Sequence, residues 1–141
     1  MNLTYLDLSN IKFTGRIPFH LERLRGFALN ISSLGEKNST PKVTIIIKTK
    51  DINLSFEEPY EINTLFDLSN NNLTGEIPTS IGSMSTLRWL NLSGNQLEGP
   101  IPTSLSNISS LEVLDLARNY LTGKIPEGLS KLSFSHSQCF I

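Results

Sequence analysis

The chain has 141 residues, of which 38% are hydrophobic and 18% are charged. This length leaves no room for a second large catalytic domain, and the composition is too apolar for a disordered chain. Twelve basic residues against thirteen acidic ones give a net charge of -1, which excludes binding to nucleic acid through bulk positive charge.

The first element of the chain is a motif that returns three more times. The segment 8–18 reads LSNIKFTGRIP, and related segments follow at 68–78, 92–102 and 116–126. The last three copies start 24 residues apart, whereas the first two start 60 residues apart. A fixed period of this length predicts stacked coils. The longer first interval, 60 minus 24, predicts an insertion of 36 residues.

Each copy begins with an alternating apolar pattern. Leu87, Leu90 and Leu92 share one face of a short extended segment, while Asn91 lies on the other, which predicts a half-buried strand. One such strand cannot bury its apolar face alone. Coils stacked about 4.8 Å apart would form a parallel sheet with a continuous core behind it.

The rest of each copy predicts a turn and a return segment. Asn71, Asn95 and Asn119 follow the strand, and their side-chain amides can satisfy backbone groups of a tight coil, so we expect an internal ladder. A Gly and an Ile-Pro pair come next, which predicts an extended segment followed by one or two helical turns.

The string LxxLxLSxNxLxGxIPxxLxxL, present at 87–108 and 111–132, resembles the plant-type extracellular leucine-rich repeat. The resemblance covers three contiguous repeats and the separate one near the N-terminus. It implies an α/β fold, a right-handed leucine-rich-repeat solenoid with a parallel β-sheet on the concave face. Short 3-10 or helical turns would lie on the return side, with a second short strand near each Ile-Pro. Ile11 in the ladder position and Asn63 in a Leu position predict irregularity beside the insertion.

The insertion spans residues 26–62 and has its own pattern. The β-branched run Val43–Lys50 and the alternating run Ile52–Phe56 predict two short strands. The placement resembles the island of plant leucine-rich-repeat receptor-like proteins and receptor kinases, and by that resemblance Lys48 and Lys50 become candidate island contacts. A degenerate repeat with a long surface loop is the alternative.

These patterns divide the chain into four parts. We predict a repeat at 1–25, the β-rich island at 26–62, three contiguous repeats at 63–135 and an irregular tail at 136–141. The tail holds the single cysteine, Cys139, so the chain can form no internal disulfide and no cysteine-based zinc cluster.

Asn-x-Ser/Thr sequons predict an exported glycoprotein, either at the extracellular face of the plasma membrane or secreted. No apolar run reaches the roughly 20 residues of a membrane span. No secretory leader is present in these residues, so export would require one in the full-length product. The seven sequons are at Asn2, Asn30, Asn38, Asn53, Asn72, Asn91 and Asn107.

The predicted concave face presents outward rows of residues to a partner. The sole Trp lies there beside Arg88, and aromatic residues next to Arg are frequent at interface centres; cross-strand packing of Trp89 against Leu65 and Val113 is the equal alternative. A glycan at Asn91 would instead shift binding to the flank or the island. The candidate partner-binding residues are Leu65, Asp67, Arg88, Trp89, Asn91, Glu112, Val113, Asp115 and Arg118.

We expect no enzyme, no cofactor and no metal site. Asp67 and Asp115 would lie two strands, about 10 Å, apart, near the upper separation of an inverting carboxylate pair. An open sheet has no walls to raise the pKa of one of them, so solvated carboxylates are expected. His20 and His136 have no neighbouring Cys, Asp or Glu at the spacing of metal ligands.

Three functions remain open. The first, implied by the resemblance, is a protein-binding segment of a plant receptor-like protein that recognises a protein or peptide ligand or docks a co-receptor kinase in defence or developmental signalling. The second is a secreted enzyme inhibitor of the polygalacturonase-inhibiting type. The insertion and the single cysteine argue against it, because such inhibitors resemble this repeat but carry capping cysteine pairs. The third is an inactive truncated fragment.

Overall fold

A computed structural model describes residues 5–20, 45–48, 53–56, 64–132 and 139–140. The chain forms two compact units, one of residues 1–30 and 63–141 and one of residues 31–62. The strands and 3-10 helices are β1 (Tyr5–Asp7), β2 (Thr14–Arg16), β3 (Ile45–Lys48), β4 (Asn53–Phe56), β5 (Thr64–Asp67), β6 (Asn72–Glu76), η1 (Thr79–Ser83), β7 (Leu87–Asn91), β8 (Gln96–Pro100), η2 (Thr103–Asn107), β9 (Val113–Asp115), β10 (Tyr120–Thr122), η3 (Glu127–Lys131) and β11 (Cys139–Phe140).

The first unit is a stack of coils, each of which contributes one strand to each of two parallel sheets. Sheet A has the order β1-β5-β7-β9-β11, and sheet B has the order β2-β6-β8-β10. We number the coils 1 to 4 by their sheet A strands β1, β5, β7 and β9. This architecture confirms the predicted solenoid, including the second strand before each Ile-Pro.

The core lies between the two sheets and the 3-10 helices. Phe66, Leu90 and Leu114 are aligned on β5, β7 and β9, and each is at most 2% exposed. The 3-10 helices begin after Pro78, Pro102 and Pro126, and each adds one buried apolar side chain. Those three side chains are Ile81, Leu105 and Leu129.

The predicted asparagine ladder joins the coils. Asn95 Nδ2 donates to the carbonyl of Leu68 in the preceding coil and to that of Leu92 in its own coil, each at 3.0 Å. Asn95 Oδ1 accepts the Leu73 backbone N–H at 3.1 Å. Asn71 and Asn119 make the equivalent bonds. One buried side chain therefore pairs backbone groups from two coils.

The Gly of each copy, at positions 15, 75, 99 and 123, has a left-handed φ, and at Gly99 a neighbouring side chain also leaves no room for a Cβ. The φ of Gly99 is +77°, and a Cβ there would lie 2.8 Å from Cγ of Glu76, which crosses over it from coil 2. Any side chain would be strained by the backbone and would displace Glu76.

The boundary with the insertion is irregular, as predicted. The pairing of β5 with β7 shifts register between Thr64 and Leu65. Asn63 itself lies outside the described residues. Ile11, in the ladder position of coil 1, is 49% exposed. Its backbone N–H donates to Oδ1 of Asn71 in coil 2 at 3.2 Å.

The second unit contains an antiparallel hairpin. Strand β3 pairs with β4 in a register that aligns Ile45 with Phe56 and Lys48 with Asn53. Two short strands were predicted here. The other domain boundaries predicted from the sequence stay predictions.

The C-terminal segment differs from the predicted irregular tail. Residues 139–140 form β11, which pairs in parallel with β9 and aligns Cys139 with Leu114. A strand therefore covers the last edge of sheet A within the described part of the chain.

We predict that Asn95→Ala destabilises the fold by about 2–4 kcal/mol, because it leaves the buried Leu73 N–H and two carbonyls without their partner. Urea denaturation followed by circular dichroism measures this difference. Gln96→Ala, at the exposed neighbouring position, is the matched control and should change stability by less than about 0.5 kcal/mol. Equal midpoints for Asn95→Ala and Gln96→Ala would contradict the ladder's role.

Candidate binding surface

The outward face of sheet A carries the predicted rows in register. On neighbouring strands Leu65 is aligned with Trp89, and Trp89 with Val113. One step along the strands, Asp67 is aligned with Asn91, and Asn91 with Asp115. Candidate residues that are scattered in the sequence are thus brought side by side.

The apolar row is shielded from water. Leu65, Trp89 and Val113 are 3%, 5% and 4% exposed, although none of them belongs to the main core cluster. The predicted half-buried strand is therefore wrong for β5, which is buried throughout, and for β7, where only Arg88 is partly exposed. Large side chains at strand spacing contact one another across the sheet, which period-two alternation alone does not reveal.

Trp89 combines burial with an unsatisfied donor. Its indole N–H is buried and finds no hydrogen-bond acceptor among the residues that the structure describes. Leaving such a donor unpaired costs about 1–3 kcal/mol. An oxygen acceptor brought to this position would recover part of that free energy.

The second row caps the turns that follow the strands. Each Asp or Asn accepts, through Oδ1, the backbone N–H of the residue two positions later, which is an Asx turn. The sequence carried a signal for this role, because an Asp or Asn precedes Ser by two positions in three of the four copies. The bonds are Ser9 to Asp7 at 2.9 Å, Ser69 to Asp67 at 2.7 Å, Ser93 to Asn91 at 3.1 Å and Ala117 to Asp115 at 3.0 Å.

Asp67 and Asn91 form a buried pair at the centre of this row. Asn91 Nδ2 donates to Asp67 Oδ2 at 3.2 Å, and Asn91 Oδ1 also accepts the Ser93 hydroxyl at 2.8 Å. The two residues are 9% and 7% exposed. The expectation of a solvated carboxylate is therefore wrong at Asp67, because its neighbours in the stack exclude water.

Burial raises the pKa of Asp67, and the nearby Asp7 carboxylate raises it further. The hydrogen bonds from Ser69 and Asn91 act in the opposite direction, since they favour the charged form. Desolvation outweighs them, so the folded chain holds a proton on Asp67 more tightly than an exposed aspartate does.

The charged candidates remain accessible to different degrees. Arg88 and Glu112, on neighbouring coils, form an ion pair with each side chain 28% exposed. Asp115 is partly exposed and Arg118 is exposed. Arg118 has a left-handed φ of 56° and donates to Asn70 Oδ1 at 3.4 Å.

The island candidates are placed only in part. Lys48 ends β3, and Lys50 lies outside the described residues, as does His136. Within the described ranges, no group of three or more His, Cys, Asp or Glu could hold a metal ion. Among the helices of those same ranges, none has the length and apolarity needed to cross a bilayer.

A pocket on sheet B was missed by sequence reasoning. It has a volume of about 140 Å³ and lies between coils 1, 2 and 3. Phe19, 66% exposed, follows the first Ile-Pro and was the available signal. The lining residues are Arg16, Ile17, Phe19, Gly75, Glu76 and Glu98.

A family model described as Leucine Rich Repeat matches residues 2–24, 64–84, 86–108 and 110–132. Those matches correspond to the four coils. No curated protein sequence matches the chain.

Solved structures of plant receptor ectodomains are similar to the chain. The BIR3–SERK2 complex from Arabidopsis thaliana is 32% identical over 89% of this chain and 48% of that one, with a TM-score of 0.60. The PEPR1–AtPEP1 structure is 30% identical over 96% and 14%, with a TM-score of 0.65. The ectodomain of the receptor kinase SOBIR1 from Arabidopsis thaliana is 26% identical over 94% and 52%, with a TM-score of 0.62. The chain thus spans about half or less of the length of these structures.

We predict that Asp67 makes the folded state less stable as pH rises. The unfolded chain loses this proton at the ordinary aspartate pKa, whereas the folded chain keeps it to higher pH, so stability is lost across the interval between the two values. The stability of the natural chain relative to Asp67→Asn should therefore fall as the pH rises through and above the ordinary aspartate pKa of about 3.9. Urea titrations at several pH values measure this difference.

Asp115→Asn is the matched control, because it makes the same substitution at a less buried member of the row. Asp67→Asn removes the titrating carboxyl but keeps an Oδ1 that can accept the Ser69 N–H, so the turn keeps its hydrogen bond. If the stability curves of the natural chain and Asp67→Asn run parallel over this pH range, the burial argument for Asp67 is wrong.

Proposed function

Because the chain belongs to the leucine-rich-repeat family, we propose that it is a non-catalytic protein-binding segment of a plant cell-surface receptor-like protein. It recognises a protein or peptide ligand, or docks a co-receptor kinase, in defence or developmental signalling. Binding proceeds by surface complementarity without turnover.

The observation that carries this proposal is the similarity of the stacked-coil frame, over at least 89% of the chain, to receptor ectodomains solved as BIR3–SERK2 and PEPR1–AtPEP1. A frame joined by buried side-chain amides holds its outward rows at fixed spacing. Such preorganisation reduces the entropy lost when a partner binds.

The outward face of sheet A has the composition of an interface. The apolar row of Leu65, Trp89 and Val113 lies beside the partly exposed Arg88–Glu112 pair. Interfaces commonly combine an aromatic and apolar centre with a charged rim, and Trp and Arg dominate their energetics.

Binding to a short receptor-kinase ectodomain tests the proposal. The purified chain is immobilised, and the SERK2 ectodomain, with and without candidate peptide ligands, is passed over it in biolayer interferometry. We expect Arg118→Glu to weaken binding about tenfold, because the variant reverses an exposed charge in the turn that follows β9 of sheet A. Lys131→Glu, the same reversal on η3 at the return side, is the control and should leave the affinity unchanged.

Two outcomes would count against the proposal. Equal losses for Arg118→Glu and Lys131→Glu would place the interaction elsewhere or make it non-specific. Inhibition of a polygalacturonase by the chain, with no binding to any kinase ectodomain, would favour the secreted-inhibitor alternative.

In an exported chain, exposed sequons are available for glycosylation and buried ones are not. Asn72 and Asn107 are exposed, whereas Asn91 is 7% exposed and its amide nitrogen is bonded to Asp67. When the chain is secreted from plant cells, we expect glycopeptide mapping to find glycans on Asn72 and Asn107 but not on Asn91. Asn72→Gln and Asn107→Gln should each remove one glycan from the intact mass, and Asn91→Gln should remove none. A glycan on Asn91 would contradict the buried pair, and bare Asn72 and Asn107 would contradict the expected use of the exposed sequons.

A further inference from the structure

The pocket on sheet B is formed where charged side chains cross over glycines of the next coil. A Cβ at Gly75 would lie 3.1 Å from Cγ of Arg16, so the Arg16 side chain of coil 1 lies over coil 2. The Glu76 side chain of coil 2 lies over Gly99 of coil 3 in the same way. The pocket volume is about 140 Å³, and an engineered protein cavity of about 150 Å³ holds a benzene ring. The pocket therefore has room for a group the size of a side-chain end.

The charge of the lining is negative. Glu76 and Glu98 are aligned on neighbouring strands and are both exposed. Strands in a sheet lie about 4.8 Å apart, and like charges at facing positions repel each other. Arg16, the one cation among the lining residues, offsets one of the two negative charges and leaves a charge of -1. Within the described ranges, no ion pair forms at either carboxylate, so the lining can accept one further positive charge.

Phe19 adds an apolar wall to this charged pocket. Its side chain is 66% exposed. The residues at the same position of coils 2 to 4, Thr79, Thr103 and Glu127, are exposed as well, so this position faces solvent in every coil. The pocket lies over coils 1 to 3, on the side of β2 that pairs with β6. Neither the exposure of Phe19 nor the pocket is therefore a consequence of the end of the stack.

The lining favours an organic cation over a metal ion. In the part of the chain that the structure describes, no third His, Cys, Asp or Glu joins the two carboxylates in a group that could hold a metal. A guanidinium carries five N–H donors in one plane, so it can bond two carboxylates, and its flat face stacks on an aromatic ring. An ammonium is a more strongly hydrated point charge that does not stack in this way. Two carboxylates beside a phenyl ring thus fit arginine better than lysine.

We propose that this pocket is a docking site for an arginine side chain of a partner polypeptide. The guanidinium donates to Glu76 and Glu98, and it stacks on the ring of Phe19. One arginine neutralises the lining, which is the charge complementarity that selects this partner. The site lies on sheet B, so it does not depend on the proposed receptor function of sheet A.

The probe is the blocked peptide acetyl-Gly-Arg-Gly-amide, which has a single charge. It is titrated into the whole ¹⁵N-labelled chain, and amide chemical shifts are followed by NMR. We expect saturable shifts at the Gly75 and Gly99 amides, with a Kd of about 1 mM. The same peptide with citrulline in place of arginine has nearly the same shape without the charge and should give no saturable shift. A lysine peptide should bind more weakly than the arginine peptide.

Chain variants locate the site. Glu98→Gln should weaken binding of the arginine peptide about fivefold, because it removes one exposed ion pair. Glu127→Gln, the same substitution at an exposed position of η3, is the matched control and should leave the affinity unchanged. Phe19→Thr should weaken binding about threefold, and it introduces the residue that coils 2 and 3 carry at this position. Circular dichroism confirms that the variants fold.

Several outcomes would overturn the proposal. These are equal binding of the citrulline peptide, equal affinities of Glu98→Gln and Glu127→Gln, or the lack of a saturable shift at millimolar arginine peptide. Tighter binding of free arginine than of the blocked peptide would identify an amino acid as the ligand and would also overturn it. The comparison of peptides uses the natural chain and so does not depend on any variant. None of these outcomes affects the kinase-ectodomain test, so the two proposals fail separately.

Discussion

The structure depends on one side-chain amide per coil interface. The chain has a single cysteine and so no internal disulfide, and the coils are joined by apolar stacking and by the Asn ladder. Asn71 shows how much one amide does: Oδ1 accepts the N–H groups of Ile11 and Phe13, and Nδ2 donates to the carbonyls of Leu8, Leu68 and Ser69. Apolar columns can slide along a solenoid with little change in burial. Paired amides fix the register, because a shift would leave several buried backbone groups unsatisfied.

The ladder also gives the stack a direction. Each coil supplies the acceptor for a backbone N–H of the coil before it, so the two ends of the stack are chemically different. At the start, Ile11 stands where an amide would bond a preceding coil. Along the described coils the direction is uniform, because Asn71, Asn95 and Asn119 each accept a backbone N–H of the preceding coil.

Most of the fold could be predicted from the repeat period of the sequence. The 24-residue spacing, the Asn positions and the Gly and Pro positions predicted both sheets, the ladder and the 3-10 helices, because each of these features is set by residues within one coil and its neighbour. The burial of Leu65, Trp89 and Val113 could not be predicted in the same way. Alternation in a strand separates two faces, but it does not say whether the second face is wet. The Asx turns at Asp67 and Asn91 were predictable from the two-residue spacing to Ser, yet the same residues also fit a partner-binding row, and sequence alone does not weigh a local bond against a distant partner.

The two faces of sheet A differ in how well their polar groups are satisfied. Toward the core, the ladder amides of Asn71 and Asn95 are bonded through both oxygen and nitrogen. On the outward face, the Trp89 N–H is buried without an acceptor, and Asp67 is a carboxyl whose pKa is raised by desolvation and by Asp7. The unpaired N–H and the desolvated carboxyl both lower the stability of the fold. Phe in place of Trp89, for example, would keep the packing without the unpaired N–H. Buried hydroxyls without a partner also occur on the return side, at Ser80, Ser104 and Ser106. Unsatisfied groups alone therefore do not select one face, and the proposal that sheet A is the recognition face rests on its apolar row and on the partly exposed Arg88–Glu112 pair beside it.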